Sequence, residues 1–309
     1  MVPPKPYWNG RFSSGPIWAE YFALLQGAKL QSYAVGAAVT SNSNLKLFGF
    51  LPMSIPSTKD QISQFVSNNP NYKTKSVNGD LAVLEIGGND IMTVLPDVVS
   101  GKTSTADFAE ILSNTVVSQV QTLKDAGFKT ILVSNSPSMQ YVPLMRYEDR
   151  VQQVGSISQA YNTKLSSKLS SWGQQSNVLL GMLDFDQFMT TSLSKSVTSA
   201  IGVTDTTNSC VGGNALSLFT SHNHCEALIR FAMDIKGTLL CSNPSKNYFW
   251  DPIHPGERVH RLFGYYANEF FNSLKAGNSS GLYKPSASNL LKLVSKYGLN
   301  SDAPKPVRI

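Results

Sequence analysis

The chain has 309 residues, 41% of them hydrophobic and 15% charged, with a formal net charge of +6. That length and apolar content suit one large α/β domain or two small ones. No run of 18 apolar residues occurs, which excludes a transmembrane helix on sequence grounds, and the scattered Lys and Arg residues, without interleaved aromatics, argue against a nucleic-acid partner.

Residues 1–6, Met-Val-Pro-Pro-Lys-Pro, lack the apolar core of a secretory signal. The stretch from Tyr7 to Pro16 reads as a loop, with turn chemistry at Asn9-Gly10 and Gly15-Pro16. Ile17, Trp18, Tyr21, Leu24 and Leu25 fall at helical spacing and stop at Gly27. Leu30 to Val35 predicts a short strand running into Gly36-Ala37-Ala38, where small residues permit close backbone approach. Thr58 to Gln61 reads as a capping box opening a helix with Ile62, Phe65 and Val66 inward.

Asp80 to Ile86 is mostly apolar, as in a strand buried on both faces, and ends in Gly87-Gly88-Asn89-Asp90. Phe108, Ile111, Leu112, Thr115, Val116, Val120 and Leu123 mark a long amphipathic helix stopped by Gly127. Lys129 to Val133 is the next strand, closing at Ser134-Asn135. Val151, Val154, Tyr161, Leu165, Leu169 and Trp172 mark a second long helix, and Val178 to Leu183 a further strand. Strands alternating with long helices predict a parallel sheet covered on both faces. In such sheets chemistry collects at the carboxyl ends of the strands, where this count puts Gly36, Asn89 and Asn135. Residues 204–244 are irregular, and 214–240 read as an insertion with one helix from Glu226 to Asp234. A last long helix buries Val259, Leu262, Phe263, Tyr266, Phe270 and Phe271, and the tail (285–309) adds an amphipathic segment at Leu290, Leu291 and Val294. Neither an internal repeat nor a linker divides the chain, so a single domain is expected.

The run Phe249-Trp250-Asp251-Pro252-Ile253-His254-Pro255 is the chemical focus. Two prolines favour a rigid loop over a helix, and such a loop holds an imidazole still beside a carboxylate. That is the base half of a nucleophilic hydrolase, the acid orienting the imidazole and stabilising it once protonated. A surface turn that happens to contain Asp and His is the alternative. Cys210, Cys225 and Cys241 make an odd set: one disulfide and a spare, or three free thiols. His222, His224 and Cys225 do not follow a usual zinc spacing, so an exposed loop is preferred over a metal site. Asn278-Ser279-Ser280 is a glycosylation sequon, relevant if the chain is secreted.

Four stretches together resemble the GDSL/SGNH esterase and lipase family in its fungal and plant-like branch: Tyr7 to Trp18, Tyr33 to Ala38, Ile86-Gly87-Gly88-Asn89-Asp90, and Phe249 to Pro255. The resemblance implies a three-layer α/β/α sandwich of the SGNH hydrolase, flavodoxin-like type, with a mainly parallel sheet. It implies that Gly36 N–H and the Asn89 amide form an oxyanion hole, that His254 is the general base and that Asp251 orients it. No metal or organic cofactor is implied, and the partner is a lipid, an acylated carbohydrate or another small-molecule ester. Secreted relatives bridge cysteines in this region, so the resemblance also suggests a Cys210–Cys241 disulfide and an extracellular location, although no signal peptide is seen.

The family's nucleophile lies in a Gly-Asp-Ser after a first strand, and no Gly-Asp-Ser occurs here. Ser13 and Ser14 are the nearest serines, but the matching family run does not hold the nucleophile. With the first strand and nucleophile missing, the expectation is an inactive or nearly inactive chain, less stable than a full-length relative, that binds an ester without turnover. A truncated paralogue and an imperfect gene model both fit. Ala37 stands where relatives often have a second glycine. Trp18 is expected in the core, while Trp8 and Trp250 either line the site or pack inside.

Overall fold

The computed structural model describes residues 3, 5–42, 55–75, 79–147, 149–212, 240–277 and 281–302. In chain order the helices and strands are α1 (Trp18–Leu25), α2 (Thr58–Asn68), α3 (Tyr72–Lys75), β1 (Leu81–Glu85), α4 (Gly88–Val99), α5 (Thr105–Ala126), β2 (Thr130–Ser134), α6 (Pro143–Tyr147), α7 (Val151–Gln174), β3 (Leu179–Leu183), α8 (Phe185–Ser192), α9 (Lys195–Ala200), β4 (Asp205–Ser209), β5 (Asn247–Phe249), α10 (Glu257–Lys275) and α11 (Ala287–Tyr297). The helix expected at Glu226 to Asp234, His222, His224 and Cys225 lie outside the described residues, as does nearly all of the expected 214–240 insertion. Among the described residues no helix is long and apolar enough to cross a membrane.

The fold forms two compact units, one from Ser32–Met139 and Val151–Asp186, the other from Val2–Gln31, Gln140–Arg150 and Gln187–Ile309. In the first, β1, β2 and β3 form a parallel sheet in that order, Leu81 pairing with Thr130 and Thr130 with Leu179. Central β2 is buried on both faces, as its Ile-Leu-Val run requires. Helix α5 packs along α7, and Phe108, Leu112, Val116 and Val120 of α5 and Val154, Ile157, Tyr161, Leu165 and Leu169 of α7 are buried. Each such side chain contributes roughly 1.5–3 kcal/mol by leaving water. Ser104 caps α5 by accepting from Asp107 N at 3.0 Å, and Gly127, at φ 118°, ends it. Parallel strands alternating with helices, without a barrel, are the α/β arrangement anticipated and fit a three-layer α/β/α fold.

Several sequence expectations are corrected. Residues 30–35 form no strand: they run as irregular chain with Gln31, Ser32 and Ala34 exposed and join no sheet among the described residues. Strand β1 is buried on one face only, Val83 on the other face being 41% exposed. Ile111 and Val66 point outward. The helix cap is Ser57 with Asp60, one position earlier than the Thr58 box. Strand β4, Asp-Thr-Thr-Asn-Ser, carries no apolar alternation and is invisible to periodicity; it forms by pairing with β5.

In the second unit α1 lies against α10 at Gly264, where a Cβ would sit 2.6 Å from Tyr21 Cβ and 2.8 Å from Trp18 O. Trp18 is core, edge-on to Phe263 at 5.0 Å. Two buried arginines tie α10 to chain before and after it: Arg258 donates to Ile201 O and Asp302 at 2.7 Å each, and Arg261 to the carbonyls of Leu299 and Ser301.

Candidate active site

Strand β5 leads into the 250–255 loop, which closes on itself. Trp250 N donates to His254 O at 2.7 Å, and Gly256 N returns to Tyr248 O at 2.8 Å. The Asp251 side chain forms the centre of this loop. Its Oδ1 accepts from the backbone N–H groups of Ile253 (2.8 Å) and His254 (2.7 Å), and its Oδ2 lies 2.7 Å from His254 Nδ1. The hydroxyl of Tyr7 donates to the same Oδ2 at 2.7 Å. Burial by itself raises the Asp251 carboxyl. The His254 charge, the bond to its ring and the two backbone donors outweigh that, and the group stays below its ordinary value. With Nδ1 engaged by the carboxylate, Nε2 is the nitrogen left to exchange a proton, on an imidazole whose side chain is 38% exposed.

Aromatic residues fix this ring. Phe12 stacks on His254 at 4.8 Å and meets Tyr7 edge-on at 5.4 Å. Tyr7, Trp250, Val211 and the Cys210–Cys241 disulfide form one cluster with Phe12 at its margin. Trp250 is therefore a packing residue, while half-buried Trp8 carries Arg11 over its ring at 5.6 Å. His260, on the first turn of α10, keeps Nε2 away from solvent and, among the described residues, without a hydrogen bond. Burial, followed by the nearby His254 charge, lowers it to about 3, so it is neutral at ordinary pH. Ser13 Oγ accepts from Gly15 N and Ser14 Oγ from Glu257 N, so both serines serve local structure.

Gly36 and Asn89 both belong to the first unit, where Asn89 bonds to the turn that contains Gly36. Gly36 and Ala37 occupy a turn closed by Ala38 N to Val35 O at 3.2 Å, and Ala37 sits at φ 66°. Asn89, in the first turn of α4, donates through Nδ2 to Ala38 O at 2.8 Å. Its amide has a second N–H for a ligand. The loop is anchored next door: Thr40 N donates to Asp90 Oδ1 at 3.0 Å and Thr40 Oγ1 to the same oxygen at 2.7 Å. Gln119 Nε2 donates to Thr40 O at 2.8 Å. Burial raises fully buried Asp90 to about 6, against the opposing pull of the Thr40 donors. Gly87, at φ 121°, is required because a Cβ there would lie 2.9 Å from the Tyr161 ring.

Asn135 holds the start of α8 in place. Its Nδ2 donates to Asp184 at 2.9 Å, and its Oδ1 accepts from Asp186 N at 3.1 Å. Among the described residues no group of three or more His, Cys, Asp or Glu is arranged to hold a metal. The residues that sequence reasoning missed are Tyr7 as a partner of Asp251, Phe12 as a ring stack, and His260. Tyr7 and Phe12 stand in the first of the four family-like stretches, but nothing local ties either to a loop some 240 residues away.

Comparison with known proteins bears on the family of the chain. The family model for GDSL-like Lipase/Acylhydrolase matches residues 4–267. The chain is similar to the thermolabile hemolysin of Vibrio parahaemolyticus, 25% identical over 88% of this chain and 58% of that protein. It is similar to two GDSL esterase/lipases of Arabidopsis thaliana, one 23% identical over 62% of this chain and 52% of that protein, the other 25% identical over 81% and 74%. It thus spans little more than half the length of the first two of these relatives. With a family model covering residues 4–267, the chain belongs to the GDSL-like lipase/acylhydrolase family.

Proposed function

We propose that this chain carries the acid–base and oxyanion parts of a carboxylic ester hydrolase. His254 Nε2 takes the proton of an attacking hydroxyl and returns it to the leaving alkoxide, and Asp251 stabilises the imidazolium between those steps. Gly36 N–H and the second N–H of the Asn89 amide meet the negative oxygen of the tetrahedral intermediate, where one such donor is worth about 2.7–4 kcal/mol of barrier. This chemistry calls for no metal ion or organic cofactor. The observation that carries the reading is the Asp251–His254 pair, at 2.7 Å with a buried, fully hydrogen-bonded carboxylate.

None of the serines in the 309 residues stands in a Gly-Asp-Ser, and Ser13 and Ser14 are engaged elsewhere. The 309-residue polypeptide by itself therefore binds an ester of a lipid, an acylated carbohydrate or a small alcohol without turning it over. The disulfide supports work in an oxidising, extracellular compartment. The test compares p-nitrophenyl butyrate hydrolysis by the polypeptide and its His254→Ala variant, alongside saturable binding of the same ester. Binding weakened by Asn89→Ala, with no His254-dependent turnover, is expected. Turnover lost in His254→Ala would overturn the silent state and leave an active esterase; absence of both binding and turnover would overturn the reading.

A further inference from the structure

Asp251 is held in two different ways. Its Oδ1 is fixed by backbone N–H groups two and three residues ahead, so any aspartate in this loop would be held the same way. Its Oδ2 faces the imidazole and has, among the described residues, one other partner, the hydroxyl of Tyr7, 244 positions away in sequence. Tyr7 is itself immobilised: its ring meets Phe12 edge-on at 5.4 Å and Trp250 at 6.3 Å, and it packs in the cluster containing Cys210 and Val211. Burial and the adjacent Asp251 carboxylate raise the phenol far above its ordinary range, so it remains a donor at any physiological pH.

We propose that Tyr7 is a positioning residue of the base pair: its hydroxyl fixes Oδ2 of Asp251 toward His254 Nδ1 and sets how much of the carboxylate's charge the imidazole receives. The N-terminal loop is then part of the proton-transfer apparatus, and Phe12, stacked on His254, seats the ring that Tyr7 indirectly aims. The inference rests on reading Asp251–His254 as an acid–base pair, but its test requires neither substrate nor turnover.

The imidazole proton shared between His254 Nδ1 and Asp251 Oδ2 gives a far-downfield NMR resonance sensitive to the strength of that one bond. Tyr7→Phe keeps the ring and removes the donor, leaving Oδ2 to His254 alone, and the resonance moves further downfield. Replacing Tyr7 by a fluorinated tyrosine, a stronger donor of nearly the same size, moves it upfield. Tyr21→Phe, which removes a hydroxyl bonded to Glu257 in the same unit, leaves it in place. Opposite shifts in the two Tyr7 variants support the proposal. An unmoved resonance in both, or equal movement in Tyr21→Phe, overturns it. A wild-type protein without the resonance overturns the pair beneath it, whereas failed ester binding with the shifts intact overturns only the proposed function.

Discussion

Asp90 is the most exacting test of how the loop from Gly36 to Thr40 is anchored. It is fully buried, and its carboxylate accepts the backbone and side-chain donors of Thr40, yet burial lifts it from 3.8 to about 6. The folded state thus holds a proton on Asp90 in a range where the unfolded chain has released it. The contribution to stability is fully present below pH 4 and is lost as pH rises through about 6. At 1.36 kcal/mol per pH unit, the gap between 3.8 and about 6 amounts to about 3 kcal/mol. His260 works in the opposite sense: lowered from 6.5 to about 3, it makes the fold more stable as pH rises through the same window. A pH profile of the wild-type protein alone would therefore mix the two. The informative quantity is the difference in urea-unfolding free energy between wild type and Asp90→Asn, measured every half unit from pH 4 to pH 8. Asparagine keeps an oxygen for the Thr40 donors and does not ionise. The wild type should lose about 2.4 kcal/mol relative to the variant between pH 4 and pH 7 and stay level above that. A flat difference, or one that grows with pH, would refute the claim that burial dominates at Asp90.

Two further outcomes follow from the backbone and the cross-link. Ala37 sits at φ 66°, a conformation that is unfavourable by about 1–2 kcal/mol for an L-residue with a Cβ, while glycine gives back about 0.4–1 kcal/mol through unfolded-chain entropy. Ala37→Gly should accordingly stabilise the protein by about 0.5–1 kcal/mol in denaturant titration, and a loss would show that the methyl packs usefully. Opening Cys210–Cys241, which spans 31 residues, by Cys210→Ser with Cys241→Ser should lower stability by about 3–4 kcal/mol on the loop-entropy estimate. The same change should broaden the His254 ring resonances, because the bridge packs in the Tyr7 and Trp250 cluster; unchanged stability would mean that the cluster holds without it.

The local and the periodic were legible in the residues. The apolar stripes of α5, α7 and α10, the buried run of β2 and the glycine stop at Gly127 could be written down from spacing, because one buried face imposes its period on the chain. Asp251 and His254 could be paired because a three-residue, proline-braced loop leaves their side chains few places to go. What needed a partner distant in sequence stayed hidden. Residues 30–35 have the composition of a strand but join no sheet among the described residues, whereas polar β4 is a strand because β5 lies beside it. The positive φ of Ala37, the outward face of β1 and the hand-off from Tyr7 to Asp251 likewise depend on which surfaces fold against each other. Hydrogen-bond donors and acceptors are satisfied by whatever the fold brings within about 3 Å, and nothing in a linear pattern records that neighbour.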